Sequence, residues 1–365
     1  MCIEVTKKKA TEAQRHGDFY FTNLSFRNFK LSNFSTFQPF NSLFMEMQYR
    51  RLGKSGLQVS VLSFGSWVTF GSQIGDDVAE KCMKLAYDNG VNFFDNAEAY
   101  ASGKSEEVMG NILKKMNWDR SSYVVSTKVF WGGKKPNQLG LSRKHIFDAC
   151  HNGLKRLQVD YLDLYFCHRP DPNTPIEETV RAMSDLISQG KVLYWGTSEW
   201  SAAQIEEAYQ IAEDFNLNPP TMEQPQYNLF NRDRFEIEYA PLYHDRGMGT
   251  TIWSPTASGL LTGKYNTGTP DDTRISRPGM EWLKEKLVGP DSKVNLEKAK
   301  KFTALAKELG VSGACLSIAW VIKNPNVSTA ILGASKVVQL EENLKTLEVL
   351  PLLTDEVMKK IELIF

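Results

Sequence analysis

Three consecutive stretches, "YVVSTKV" (123–129), "LSRKHIFDACHNGLKRL" (141–157) and "YLDLYFCH" (161–168), decide the fold. The outer two are short apolar runs of the kind that form buried strands. The middle one opens on Ser142, a good helix cap, and carries a helical pattern. Strand, helix, strand in that order makes a crossover unit, whose two strands run parallel.

The same alternation extends in both directions. Strand-like runs recur at "VLSFG" (61–65), "NFFDN" (92–96), "VLYWGTS" (192–198), "MEQPQYN" (222–228), "GTTIWSP" (249–255) and "TAILGAS" (329–335). Helical segments stand between them. "DDVAEKCMKLAYDNG" (76–90) begins with Asp and ends at Asn-Gly, and "TPIEETVRAMSDLISQG" (174–190) places Thr before a Pro at the first helical position. An open doubly wound sheet and a closed barrel both fit the alternation. A count of eight strands in a core of roughly 250 residues favours the barrel. Neither GxGxxG nor GxxxxGK[ST] occurs, which weakens the dinucleotide-fold alternative. The expected class is therefore α/β, a (β/α)8 TIM barrel over residues 47–365. A short β-hairpin in "QYRRLGKSGLQVS" (48–60), turning at Lys54-Ser55-Gly56, precedes it.

Residues 1–46 follow other rules. They hold Lys7-Lys8-Lys9 and eight isolated phenylalanines from Phe19 to Phe44, and neither a period of two nor one of 3.6 persists. They read as an irregular, disordered extension, or as sequence upstream of a natural start at Met45 or Met47. A tail that binds a partner is the sharper alternative.

Composition narrows the class of function. The 43 basic and 43 acidic residues cancel, which argues against nucleic acid as the main partner. Cys2, Cys82, Cys150, Cys167 and Cys315 are scattered, odd in number and free of CxxC, as in a reducing cytoplasm. No apolar run reaches the roughly 18 residues that span a bilayer. A soluble cytoplasmic protein without membrane insertion is expected.

In a barrel of this kind chemistry gathers at the C-terminal ends of the strands. There the chain places Asp95 with Tyr100 beyond it, Lys128, His168, Ser198, Gln224, Trp253 with Ser254, and Ser335. An apolar strand that ends in Asp and another that ends in Lys answer each other, because an Asp95–Lys128 pair spares each the cost of burial alone. The ammonium is expected to depress the pKa of Tyr100, so that the phenol can protonate a developing alkoxide and reload. His168 would orient the carbonyl, its donor or acceptor role left open. Singly, each residue has an ordinary reading: Asp95 as a cap, Tyr100 as a loop aromatic, Lys128 extending to water, His168 as a satisfied strand-end histidine. The other histidines show no metal-ligand spacing, so no metal is expected.

At this point the chain resembles the aldo-keto reductases, most closely the branch of voltage-gated potassium channel β-subunits and their plant and microbial relatives. The motifs are "RRLGKSGLQVS", "FGSWVTFGSQ", "VNFFDNAEAY", "STKVFWGG", "HRPDPNTPIEETVRAM", "YWGTSEWSA", "WSPTASGLLTGKY" and "LGASKVVQLEEN", and they cover nearly everything after residue 46. The resemblance implies a (β/α)8 barrel that binds NADP(H) and a catalytic tetrad at Asp95, Tyr100, Lys128 and His168. Mammalian channel β-subunits carry Asn at the last position, so His168 resembles the enzyme pattern. The resemblance further implies that Trp253 stacks on the nicotinamide and that Ser198 and Gln224 hold its carboxamide, with Ser66, Trp67, Gln73 and Asp95 nearby. Ser254, Pro255, Ser258, Lys264 and Arg274 match positions along the pyrophosphate and its covering loop. Gly333, Ser335, Gln339, Glu342 and Asn343 match the adenosine end. Thr256 departs from the family, where Leu is usual.

The implied activity is NADPH-dependent reduction of aldehydes, with ketones a second class, by direct hydride transfer. The small carbonyl substrate itself is not legible, and a homo-tetramer is the assembly that the resemblance implies. Two other readings stand beside it. One is a cytosolic regulatory β-subunit of a voltage-gated potassium channel that uses bound NADP(H) as a redox sensor. The other is a catalytically silent NADP-binding scaffold.

Overall fold

The computed structural model describes residues 46–365, apart from Val68, Ser72, Asp272 and Pro278. The expectations for residues 1–45 therefore lie outside the described residues. Strands β1 (Tyr49–Arg51) and β2 (Gln58–Ser60) form an antiparallel hairpin in the register Tyr49↔Ser60. Then come β3 (Leu62–Gly65), β4 (Phe93–Asp95), β5 (Val124–Val129), β6 (Leu162–Cys167), β7 (Val192–Thr197), β8 (Met222–Glu223), β9 (Gly249–Ile252) and β10 (Thr329–Leu332). These eight pair in parallel and close into a barrel, with β10 meeting β3.

The helices are α1 (Asp76–Asp88), α2 (Lys104–Met116), α3 (Arg143–Leu157), α4 (Ile176–Ser188) and α5 (Ala202–Asp214), then α6 (Glu281–Val288), α7 (Lys293–Glu308), α8 (Gly313–Lys323), α9 (Val337–Leu344), α10 (Thr346–Val349) and α11 (Asp355–Glu362). Helices α1 to α8 stand between barrel strands in the chain, and α9 to α11 follow β10. The starts follow local chemistry. Ser142 accepts from the His145 N–H at the head of α3, and Ser201 and Gln204 form a reciprocal capping box on α5. One expectation fails here: Pro175 stands at the cap position of α4, not at its first helical residue. The Thr174 hydroxyl is held instead by the Asp171 carboxylate at 2.8 Å, so it does not cap the helix.

The strand pleat sorts side chains between two cores. Phe94, Val125 and Val129 face outward and join the large core under the helices. Phe93, Val124, Leu164, Phe166, Met222 and Ile331 fill the barrel interior, where Leu52 and Val59 of the hairpin join them as a plug. Burying each such side chain is worth about 1.5–3 kcal/mol. The plug is locked by close backbone approach at Gly53, whose φ is +59°. A Cβ there would lie 2.3 Å from the Gly247 carbonyl oxygen, so only glycine fits. Arg50 donates to the carbonyls of Ile322, Asn324 and Val327, which satisfies the C-terminal end of α8.

The interior face of each strand keeps its alternation to the C-terminal end. Asp95 follows Phe93 by two, Lys128 follows Ser126 and Val124, and His168 follows Phe166 and Leu164. The pleat that packs the barrel thus carries three polar side chains to its mouth. Among the described residues no single helix is long and apolar enough to cross a membrane.

Candidate active site

The floor of the mouth is a chain of three side chains. Lys128 Nζ lies 2.6 Å from Asp95 Oδ2 and 3.2 Å from Tyr100 Oη, and it also donates to the Asn96 carbonyl at 2.7 Å. Lys128 has no exposed surface. Asp95 is satisfied further by the Ser126 hydroxyl at 2.7 Å and the Gln224 amide at 3.1 Å. A carboxylate with three donors is a stable buried anion, and the lysine is its counter-ion. Burial pushes the Lys128 ammonium below its ordinary value, and Asp95 pulls it back.

Tyr100 reaches the floor through unusual backbone. The two residues after it, Ala101 and Ser102, have φ of 49° and 53°, so the chain turns sharply before α2 begins. Its titration departs from the expectation. The phenol is raised well above its ordinary value of 10.0, by burial first and then by the Asp95 charge, against a smaller pull from Arg169. The causes are local: a poorly hydrated setting disfavours the phenolate, and the nearby Asp95 carboxylate adds to that.

His168 closes the group, its ring 5.8 Å from that of Tyr100 and edge-on to it. Burial and the charges of Lys128 and Arg169 hold the imidazole well below its ordinary value of 6.5, so it is neutral at physiological pH. Its Nδ1 is buried with no partner among the described residues.

These residues open on a cleft of about 1190 Å³. Of the residues expected to bind cofactor, Trp67, Gln73, Asp95, Ser198, Gln224, Trp253, Ser254, Pro255, Ser258, Lys264, Arg274, Gly333, Ser335, Gln339, Glu342 and Asn343 all line it. Ser66 does not. It sits just behind the wall, its hydroxyl on the Asp95 carbonyl at 3.1 Å. Lys128 likewise is not part of the lining.

Along the cleft, Ser198 donates to the Gln224 carbonyl at 2.9 Å, which ties the ends of β7 and β8 together. The segment after β9 passes over the opening toward β10. From it Arg274 stacks its guanidinium 4.7 Å from the Trp67 ring centre, and one of its nitrogens approaches Gly333 at the end of β10. After β10 the Ser335 N–H and hydroxyl both bond Gln339 Oε1, at 2.9 and 3.2 Å.

Does this cleft suit a dinucleotide? Its volume exceeds the roughly 300–1,000 Å³ of ordinary small-ligand sites. The Trp253 indole in its lining suits a flat ring. Lys264 and Arg274 are among its lining residues and are cations that suit phosphates, and hydroxyl and amide side chains line it as well. The residues fit the group. Among the described residues no cluster of His, Cys, Asp and Glu could hold a metal ion.

Three lining or supporting residues went unnoticed in the sequence. Arg169 donates to the His168 carbonyl at 2.5 Å and to Ser198 at 3.3 Å. Trp131, from the loop after β5, packs its ring 4.9 Å from that of His168. Glu199 accepts from the Trp253 indole at 3.0 Å. Each follows a strand end by one or two residues, and a charge or large aromatic there was the available signal.

Comparison with known proteins agrees with this geometry. The model of the aldo/keto reductase family matches residues 61–364. A probable voltage-gated potassium channel subunit beta of Arabidopsis thaliana is 52% identical over 317 residues, covering 87% of this chain and 96% of the relative. A protein of the same description from Oryza sativa subsp. japonica is 53% identical over the same shares. With the eight-stranded barrel and the polar group at its mouth, these matches make the chain a member of the aldo/keto reductase family, whose general kind is the oxidoreductase.

Proposed function

We propose that the chain reduces aldehydes to alcohols with NADPH, using Tyr100 as the general acid. The observation that carries this reading is the unbroken Asp95–Lys128–Tyr100 chain, at 2.6 and 3.2 Å, on the floor of a cleft large enough for a dinucleotide. Trp253, Ser198 and Gln224, with Trp67 and Gln73 near them, would hold the nicotinamide. Ser254, Pro255, Ser258, Lys264 and Arg274 would hold the pyrophosphate. Gly333, Ser335, Gln339, Glu342 and Asn343 would hold the adenosine, with Lys336 adding a cation that suits a 2′-phosphate.

When bound, NADPH supplies the hydride for the carbonyl carbon. The chain does the rest. His168 keeps its single proton on Nε2, because a buried lone pair left unpaired at Nδ1 costs less than a buried N–H would. That N–H orients the carbonyl oxygen. Tyr100 gives its phenolic proton to the same oxygen as charge develops there, and the alcohol results. The Lys128 ammonium steadies the transient phenolate until water returns the proton. A general acid of this sort contributes about 10²–10⁴-fold, and the remainder comes from placement of the reactants.

Stopped-flow oxidation of bound NADPH by a panel of aldehydes tests the reading. Repeated turnover that collapses in Tyr100→Phe supports it. Tight NADPH binding with no oxidation by any carbonyl refutes it.

The names of the relatives favour a second reading, in which the barrel is a subunit of a voltage-gated potassium channel. On that reading it would be a cytosolic subunit that senses redox state through a bound cofactor. A homo-tetramer would suit that role. Capture of a channel by the full chain, in a manner that depends on NADPH against NADP, is its test. The two readings are compatible if turnover is slow. Cys82, Cys150, Cys167 and Cys315 are all free and buried, which supports a cytoplasmic home for either.

A further inference from the structure

Trp253 presents a flat indole to the cleft, and an indole has a single polar atom with which to fix its orientation. That atom, Nε1, donates to Glu199 Oε1 at 3.0 Å. The same oxygen accepts the Gln226 N–H at 2.6 Å, and Oε2 accepts from Arg234 at 2.8 Å. One carboxylate thus gathers the indole, the backbone just after β8 and the π-helix Arg234–Glu238.

The backbone of Glu199 is equally committed. Its φ is +62°, a left-handed conformation that a glutamate adopts only when its surroundings require it. Its N–H is held by the Glu223 carboxylate at 2.5 Å, and Glu223 is itself anchored by the Thr197 hydroxyl. Glu223 is wholly buried. The strained turn therefore aims the Glu199 side chain at the wall of the cleft. At Trp253 itself the backbone is tied on both sides, with Trp253 N–H to the Pro225 carbonyl at 3.0 Å and Tyr227 N–H to the Trp253 carbonyl at 3.3 Å. Only the ring torsion remains, and Glu199 fixes that.

We propose that Glu199 is a positioning residue that pins the Trp253 indole in the orientation that carries the flat ring of the cofactor. This rests on the reading of Trp253 as the nicotinamide wall. Glu199 acts through the indole, and through Gln226 it ties that wall to the end of β8. Loss of the carboxylate leaves the indole free to rotate and removes the acceptor that Arg234 shares.

The test uses the full chain labelled with ¹⁵N-tryptophan and loaded with NADPH. The Trp253 indole resonance is assigned by its loss in Trp253→Phe. Glu199→Asn retains a residue at ease in left-handed backbone but is too short to reach the indole. Glu199→Gln retains length and an acceptor oxygen. In Glu199→Asn the Trp253 Nε1–H is expected to exchange with solvent at least about tenfold faster, the loss appropriate to one hydrogen bond to a charged group. Affinity for NADPH falls with it. Glu199→Gln recovers most of the protection. The buried Trp195 indole, bonded to the Asn218 carbonyl at 2.8 Å, reports whether the barrel is intact and is expected not to change. Unchanged exchange at Trp253 in Glu199→Asn overturns the proposal. So does faster exchange with undiminished NADPH affinity, because the pinned ring would then carry nothing. If wild-type protein binds no NADPH while the exchange differs as expected, the pinning stands and the cofactor reading fails.

Discussion

Asp95 and Lys128 meet at 2.6 Å, and the lysine has no surface exposed to solvent. Removing one member of such a pair leaves the other charged and buried, which typically costs about 3–5 kcal/mol. Lys128→Met is therefore expected to lower the free energy of unfolding toward the smaller end of that range, since Ser126 and Gln224 still donate to Asp95. Urea denaturation measures it. The double variant Asp95→Asn/Lys128→Met should recover most of the stability and none of the turnover. A single variant as stable as wild type would mean that the pair carries no structural weight.

Tyr100 yields a prediction about direction as well as pH. Its pKa is raised by burial and by Asp95, so the phenol stays loaded as an acid through the neutral range. Aldehyde reduction should then be flat with pH up to about pH 9, as for any general acid well below its pKa. Alcohol oxidation needs the phenolate as base. Its rate should climb roughly tenfold per pH unit over the same span, because the phenolate fraction does. Rates of both reactions on one buffer series decide it. An oxidation rate that levels off near neutrality would show an acidified phenol after all.

The eight barrel strands were legible because all but β7, where Leu193 is exposed, are buried on both faces and so read as short apolar runs, each bounded by a polar strand end. Those ends named Asp95, Lys128 and His168 directly. Lengths were less legible. "MEQPQYN" suggested seven residues, yet β8 stops at Glu223, since Pro225 has no N–H to give to a ladder. The π-helices Arg234–Glu238 and Leu242–Arg246 left no periodic trace of their own. At the site, the acidic and basic strand ends in "NFFDN" and "STKV" point to the Asp95–Lys128 pair but not to the raised phenol of Tyr100. Burial and the Asp95 charge both oppose the phenolate, and a sequence does not show how far the phenol is withdrawn from water. Glu199 escaped for a related reason: its task depends on a left-handed turn, and nothing in "GTSEW" announces one.

Gly110 offers a test of packing against propensity. It lies within α2, where alanine is ordinarily favoured by about 1 kcal/mol. A Cβ there would sit 2.2 Å from the Arg156 carbonyl oxygen and within 2.8 Å of the Leu157 backbone at the end of α3. Backbone cannot swing aside as a side chain can. Gly110→Ala is expected to destabilise by about 1–3 kcal/mol, the usual cost of overpacking, despite the better propensity. A midpoint in urea above that of wild type would show that the two helices part easily.

His145 gives the last prediction, and its sign follows from hydrogen bonds. Nδ1 lies 2.8 Å from the Gly140 carbonyl and Nε2 lies 3.3 Å from Glu98 Oε1, so both ring nitrogens face acceptors. Only the imidazolium can donate to both. Burial opposes the charge, but Glu98, the Gly140 carbonyl and Asp148 outweigh it, and the pKa is raised above 6.5. Asp171, on the other side of Gly140, also feels the His145 charge. Because the folded value exceeds the unfolded one, the stabilisation is complete below pH 6.5 and is lost as pH rises through the folded value. What loosens is the loop between β5 and α3, which Glu98 also holds through the Phe130 N–H at 2.8 Å and which carries Trp131 to the cleft. Wild-type protein is thus expected to lose stability relative to His145→Gln as pH is raised from 6.5, and protection from hydrogen exchange over residues 130–141, after division by the base-catalysed intrinsic rate, to fall in wild type alone. Parallel stability curves for the two proteins would show that the histidine is neutral in the folded state and that the loop does not depend on its charge.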